Sequence, residues 1–342
     1  MNEAKTKKQL YKDRLKRFHD AVSLKEPDRV PIITPGTSIF DTLDAGYTMA
    51  EVLYDYEKAK DAIRQFLTRY EPDSGYLCGT GLEGTGPMLE KSQCKCVRWA
   101  GMPGNIVDDN GVHQFIEFEL VKDEEIKELS RNLGEFSAVK FLPRAFGLLE
   151  PMQHFDLTGT MQATLGKAGY QPLGVAFAGE VEEMGFPIMT GPPTFSAFDF
   201  YSDYLRGTLL ASTDLYDYEE ELSAFLSDLC DLQIEEIKKN PPQEGRIKFM
   251  PMHKGKTIVH FEEIDIVNAK KELKDVACIS GVYPAQLLNY GTKQQVVDEA
   301  KRLLDICAPG GGYIFDFDGG LYESKRENVE ALFDTIKTYG KY

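Results

Sequence analysis

Apolar positions recur along this chain in two rhythms, and their alternation predicts its elements. Leu10, Tyr11, Leu15 and Phe18 fall at helical spacing among Lys, Arg and Asp, which predicts a charged N-terminal helical extension over 1–28, closed by Pro27. Val30 to Ile33 is a short apolar run that stops at Thr34-Pro35-Gly36-Thr37-Ser38, a strand entering a turn. Met49 to Tyr70 places Val52, Leu53, Ala59, Ile63, Phe66 and Leu67 on one side and predicts one amphipathic helix. Gly75 to Cys78 reads as the next strand. From about 97 to 120 the pattern alternates through Trp99, Val107, Val112, Phe115, Phe118 and Leu120 between Gly and Asp turns, predicting a hairpin insertion. Asp123 to Asn132 is a short polar helix, and 143–185 reads as largely helical.

The second half repeats one theme. Short runs at Pro187–Thr190, Ile247–Met252, Thr257–Phe261, Ala277–Ser280 and Tyr313–Phe317 read as strands. They alternate with amphipathic stretches at Phe198–Leu210, Asp217–Lys239, Asp265–Leu273, Thr292–Cys307 and Lys325–Tyr339. Short apolar strands between amphipathic helices predict a parallel α/β sheet. About seven or eight such units favour a TIM-like (β/α)8 barrel, with 1–342 as a single domain, over a doubly wound sheet. One junction is irregular. Only residues 253–256 separate the strands at 247–252 and 257–261, whereas a parallel crossover needs about a dozen residues. The two runs are therefore one long or bent strand, a hairpin, or neighbours of a missing stretch of chain.

Composition then narrows the function. The 342 residues are 42% hydrophobic, with 20 Phe and 17 Tyr, enough for one large core. A net charge of −16 disfavours nucleic acid as a partner, because such binding needs a positive footprint. It still allows a basic pocket inside an acidic shell. No apolar run approaches the roughly 18–20 residues of a membrane span, so no membrane contact is expected. Residues 1–20 lack the apolar segment of a signal peptide, which predicts a cytoplasmic protein. The six cysteines then read as free thiols, and Cys94-Lys95-Cys96, with no second pair at zinc-site spacing, as two thiols on one strand. Gly79 to Pro87 is glycine-rich but lacks the G-K-[ST] ending of a phosphate loop and reads as a backbone loop. No G-x-S-x-G elbow exists for a serine nucleophile.

In a barrel, chemistry sits beyond the C-terminal ends of the strands. Asp316 and Asp318 alternate to one side of the last strand, and paired carboxylates bind a hard cation, share a proton or hold a cationic substrate. His253 ends an earlier strand and is the candidate ligand or proton carrier. These three are the expected catalytic residues. Phe195 and Phe198, in a Gly-Pro-Pro loop entering a helix, would wall a flat apolar ligand, with Arg206 holding a carboxylate. Glu262 and Tyr283 complete the expected substrate-binding set. His260, in mid-strand, reads as packing.

The ordered segments Pro27-Asp28-Arg29-Val30-Pro31-Ile32, Asp203-Tyr204-Leu205-Arg206-Gly207, Pro251-Met252-His253-Lys254-Gly255, Cys278-Ile279-Ser280-Gly281-Val282-Tyr283-Pro284 and Gly310-Gly311-Gly312-Tyr313-Ile314 carry a resemblance. Over about 15–340 the chain resembles the uroporphyrinogen decarboxylase superfamily, which includes cobalamin-dependent methyltransferases. That resemblance implies a TIM-like barrel. It also implies differences. The decarboxylases grip their substrate with an M-R-Q-A-G-R segment, where this chain has Ile33-Thr34-Pro35-Gly36-Thr37. Their catalytic Asp falls on Thr80 and their late His on Gly319. The zinc-dependent methyltransferases use H-x-C and a later Cys, but 250–262 has no Cys and Gly319 takes the final place.

The chain is therefore closer to the methyltransferase-like branch. The expectation is methyl transfer between a small-molecule donor and a corrinoid carried by a partner protein, with any metal left open and a homodimer as the default assembly. The alternatives are uroporphyrinogen or related tetrapyrrole decarboxylation, or a non-catalytic ligand-binding barrel.

Overall fold

The computed structural model describes residues 5–34, 38–74, 86–117, 119–129, 136–149, 177–188, 196–239, 254–317 and 321–342. The elements used below are, in chain order, α1 (Lys7–Val22), α2 (Tyr56–Tyr70), β1 (Val97–Arg98), β2 (Gln114–Phe115), α3 (Glu219–Lys239), β3 (Ile258–Phe261), α4 (Ile266–Leu273), β4 (Cys278–Tyr283), α5 (Lys293–Cys307), β5 (Tyr313–Phe317) and α6 (Arg326–Tyr339). The described chain is thus a mixed α/β structure. It separates into two compact units, one of Met1–Glu83, Pro172–Gly191 and Glu244–Tyr342, the other of Gly84–Gln171 and Pro192–Gln243.

The first unit is built on a parallel sheet. β3 pairs with β4 and β4 with β5. Past β5 the first apolar run of the chain continues the ladder: Phe315 N–H donates to Pro31 O (2.8 Å) and Ile33 N–H to Phe315 O (3.0 Å). Asp73 N–H then donates to Ile32 O (2.8 Å). The last strand therefore lies beside the first segment, although the described strands form an arc and not a closed ring.

Both faces of this sheet are covered, which is why its strands read as continuous apolar runs. Ile279, Tyr283, Tyr313, Phe315 and Phe317 share one core with Val296, Leu303 and Leu304 of α5 and Val329, Leu332 and Phe333 of α6. On the opposite face, Cys278 and Ile314 pack against Phe18, Ala21 and Val22 of α1. The N-terminal helix is consequently a part of this core. Its Phe18 is fully buried, a change worth about 1.5–3 kcal/mol for a side chain of this size.

The predicted helix at Met49–Tyr70 is broken in two. Thr48 and Glu51 form a reciprocal cap for Met49–Tyr54, and Asp55 then caps α2 by accepting from Glu57 N–H (3.0 Å) and Lys58 N–H (3.3 Å). Two cap residues inside one apolar period override the periodicity.

The second unit holds the short antiparallel pair β1–β2, at the ends of the predicted hairpin. Its core gathers Val121, Ile126, Tyr201 and Leu205 with Leu222, Phe225 and Leu229 of α3. The predicted helix Phe198–Leu210 is interrupted: Ala197–Phe200 widens into a π-helical turn, Tyr201–Arg206, and stops at Gly207, whose φ of +83° no β-carbon tolerates easily.

A buried carboxylate ties this unit together. Glu125 accepts from Arg144 Nη1 (2.6 Å) and Nη2 (2.7 Å) and sits 3.3 Å from Lys140 Nζ. The paired guanidinium holds its pKa down at about 2, against 4.5 for an ordinary Glu. A lowered pKa gives stability that is present above pH 4.5 and lost as pH falls toward 2. Glu125→Gln should therefore flatten the acid limb of the stability curve between about pH 4.5 and 2, read by denaturant midpoints. An unchanged limb would show that the pair contributes nothing there.

No helix among the described residues is long and apolar enough to cross a membrane. The described cysteines, Cys94, Cys96, Cys230, Cys278 and Cys307, are all free thiols.

Candidate functional site

Parallel register assembles a polar layer on the α1-facing side of the sheet. Alternate residues of neighbouring strands share a face, so Ile258, Cys278 and Ile314 form an apolar layer against α1. Two residues further along each strand stand His260, Ser280 and Asp316. His260 pairs with Ser280 in the ladder, and Asp316 lies one strand beyond. The three side chains meet. Ser280 Oγ donates to Asp316 Oδ2 (2.9 Å), His260 Nδ1 lies 3.3 Å from Ser280 Oγ, and the same nitrogen is 3.4 Å from Asp316 Oδ2.

The hydrogen-bond inventory assigns the tautomer. The one hydroxyl proton of Ser280 goes to Asp316, so Ser280 Oγ receives from His260 only if Nδ1 carries hydrogen. The ring lone pair is then on Nε2. Asp316 is only 7% exposed, and its other oxygen accepts from Phe317 N–H (2.8 Å). A buried, fixed carboxylate and a buried hydroxyl thus hold an imidazole whose side chain is 41% exposed. That is the arrangement of an oriented proton carrier and not of a hydrolytic triad, because the serine hydroxyl is directed at the carboxylate and not at the imidazole.

The backbone beside it is unusual. Gly281 and Val282 both have positive φ (+89° and +73°), and a β-branched residue adopts that region only at a cost of about 1–3 kcal/mol. A β-carbon on Gly281 would lie 2.2 Å from Phe261 O and 2.8 Å from His260 Cε1. Gly281→Ala should therefore push the imidazole off its partners and lower stability by more than the cost of an ordinary exposed substitution, about 0.5 kcal/mol. Thermal melts and histidine NMR would check it, and an unmoved His260 resonance would refute it.

The expected site residues divide. Asp316 is in the cluster. His253, Asp318 and Phe195 lie outside the described residues, as does the predicted strand at 247–252, so the junction at 253–256 is described only from Lys254 onward. Glu262 follows β3, exposed, with no ion pair to another described residue. Tyr283 is not a ligand wall: it is fully buried on the opposite face, its ring against Phe315 and Phe317 and its hydroxyl donating to Val296 O (3.4 Å). Phe198, in the second unit, packs at the edge of that unit's core.

Arg206 is corrected most clearly. All five of its N–H donors are engaged: Nε with Asp214 (2.7 Å), Nη1 with Glu119 (2.8 Å) and Val121 O (3.0 Å), and Nη2 with Asp123 and Asp214 (3.2 Å). At 2% exposure it is a structural hub with no hydrogen left for a substrate carboxylate.

His260 is the residue the sequence pattern assigned to packing. A signal for it exists: three strands that otherwise read apolar are each interrupted by one polar residue, His260, Ser280 and Asp316, with His260 opposite Ser280 and Asp316 two residues further along the next strand. Register converts those interruptions into one cluster.

No protein-family model matches the chain, and no curated protein matches it. Among solved structures it is similar to a methyltransferase from Methanosarcina mazei, at 14% identity over 95% of this chain and 98% of that one, with a TM-score of 0.42. A likeness at that level carries no argument about chemistry, which rests on the chain's own residues.

Proposed function

We propose that this chain is a methyltransferase that takes a methyl group from a small oxygen- or nitrogen-linked donor, on a (β/α)8 barrel of which the parallel strands are one arc. The observation that supports it is the His260–Ser280–Asp316 cluster on three adjacent parallel strands. A methyl group on oxygen or nitrogen leaves a poor leaving group behind unless that atom receives a proton. His260, as an imidazolium that keeps hydrogen on Nδ1, would deliver it from Nε2: the methyl–heteroatom bond breaks, the heteroatom keeps the electron pair and takes the proton, and the methyl passes to an acceptor nucleophile. Ser280 and Asp316 are positioning residues that fix the ring. Glu262, Asp318 and His253 are proposed to hold a cationic or hydroxyl-bearing donor.

The proposed acceptor is a corrinoid on a separate protein, an assignment that comes from the family resemblance. Of the aromatic residues expected to wall a tetrapyrrole, Tyr283 belongs to the core of the first unit and Phe198 packs against the core of the second. Every step above therefore concerns this chain's own side chains. Tetrapyrrole decarboxylation is the weaker reading, because Arg206 is spent internally and residues 33–37 contain no Arg.

The test incubates purified protein with methyl ethers or methylamines and a reduced corrinoid, and follows the demethylated product. Product in the wild type and its loss in His260→Ala is the expected result, with uroporphyrinogen III left unchanged in parallel. Turnover of uroporphyrinogen, or demethylation indifferent to His260, would reject the reading.

A further inference from the structure

At the other end of the sheet, where Arg29 precedes the run Val30–Ile33, a cavity of about 300 Å³ opens beside α1. Six basic side chains line it, in a chain whose net charge is −16. Three of them are neutralised. Lys5 pairs with Asp13 (2.6 Å), Arg17 with Asp28 (2.6 Å) and Asp73 (2.5 Å), and Arg29 with Asp73 (2.7 Å). A fourth, Lys337, donates to Tyr70 O (2.6 Å) and is only 3.7 Å from Glu71. The last two have no carboxylate partner among the described residues. Lys341 is exposed at the rim.

Arg14 is the decisive one. It is 6% exposed, stacked at 3.8 Å on the Phe186 ring, and donates from Nη1 to Gly185 O (2.6 Å). No described acceptor meets its Nε or its Nη2, although it lines the cavity. A buried guanidinium with no carboxylate hydrogen-bonded to it is costly; Asp73 and Glu71 act on Arg14 only through space, and burial still pushes the pKa of both Arg14 and Lys337 down, a penalty an incoming anion would relieve. The fork of free N–H groups matches an oxyanion, and the cavity is larger than a bare ion requires.

We propose that this cavity binds a small molecule bearing a doubly charged oxyanion, a phosphate monoester or a dicarboxylate, through Arg14, Lys337 and Lys341. The site is separate from the His260 cluster and does not rest on the methyltransferase reading.

Calorimetric titration of the full chain at low ionic strength, with inorganic phosphate in one arm and succinate in the other, tests it. At least one anion should bind at about 1 mM or tighter, and the stronger arm identifies the class. Lys341→Glu, at an exposed position, should weaken binding about tenfold or more, as should Arg14→Gln if it folds. Lys293→Glu, exposed elsewhere, should bind as wild type. Failure of both anions to bind overturns the proposal. So does unchanged binding in Lys341→Glu, whatever becomes of Arg14→Gln.

Discussion

Asp316→Asn should slow turnover by about 10²–10⁴-fold while leaving the protein folded. In the wild type, Asp316 Oδ2 accepts from Ser280 Oγ at 2.9 Å, and His260 Nδ1 lies 3.4 Å from the same oxygen. Both neighbours are donors toward a pure acceptor. An asparagine fills the same volume but can present an NH₂ group to them. Imidazole then satisfies it best by accepting at Nδ1, which moves the neutral ring's hydrogen to Nε2 and disfavours the doubly protonated form that would deliver a proton to substrate. Packing is preserved, so the stability loss should stay within about 1–2 kcal/mol, the range of an altered buried hydrogen bond. A structural role would not move the tautomer. The ¹⁵N shifts of His260 in labelled protein therefore decide the matter alongside kcat: a wild-type pattern with wild-type kcat would show that Asp316 does not position the ring.

Much of this was legible in the sequence, and the gaps have physical causes. The C-terminal alternation was read closely: the expected Tyr313–Phe317 strand and Thr292–Cys307 helix recur as β5 and α5, because their periods are strong and their caps unambiguous. The reading failed where local signals competed. Asp55 and Gly207 broke helices that apolar spacing joined. It failed also for side chains whose role depends on register. Tyr283 was expected at a binding wall because it follows the predicted strand Ala277–Ser280, but β4 runs on to Tyr283, which packs with Ile279 in the core shared with α5 and α6. Strand register puts Ser280 with Asp316 and draws in His260. Arg206 misled for another reason. A lone Arg in an aromatic stretch suggests a substrate anchor, and nothing local reveals that Glu119, Asp123 and Asp214 converge on it.

The largest stability effect should come from Asp73→Asn, at about 3–5 kcal/mol. Asp73 is fully buried, its N–H bonded to Ile32 O. Its two oxygens receive Arg17 Nη1 (2.5 Å), Arg29 Nη1 (2.7 Å) and Nη2 (2.9 Å), and the backbone N–H of Ile32 (2.8 Å). One carboxylate therefore fastens α1, the residue before the first strand and that strand's own backbone. Neutralising it leaves two guanidinium groups facing each other around a buried amide that cannot accept four hydrogen bonds. With total stabilities of about 5–15 kcal/mol, that is a large share. Asp28 provides the internal control. It binds the same Arg17 at 2.6 and 2.7 Å, but its side chain is 64% exposed, and an exposed pair is worth about 0–1 kcal/mol. Urea midpoints for Asp73→Asn and Asp28→Asn should therefore differ by several-fold in their displacement from wild type, although both remove a carboxylate from the same arginine. Equal displacements would mean that burial of Asp73 adds nothing and that the sheet and α1 are held by apolar packing alone.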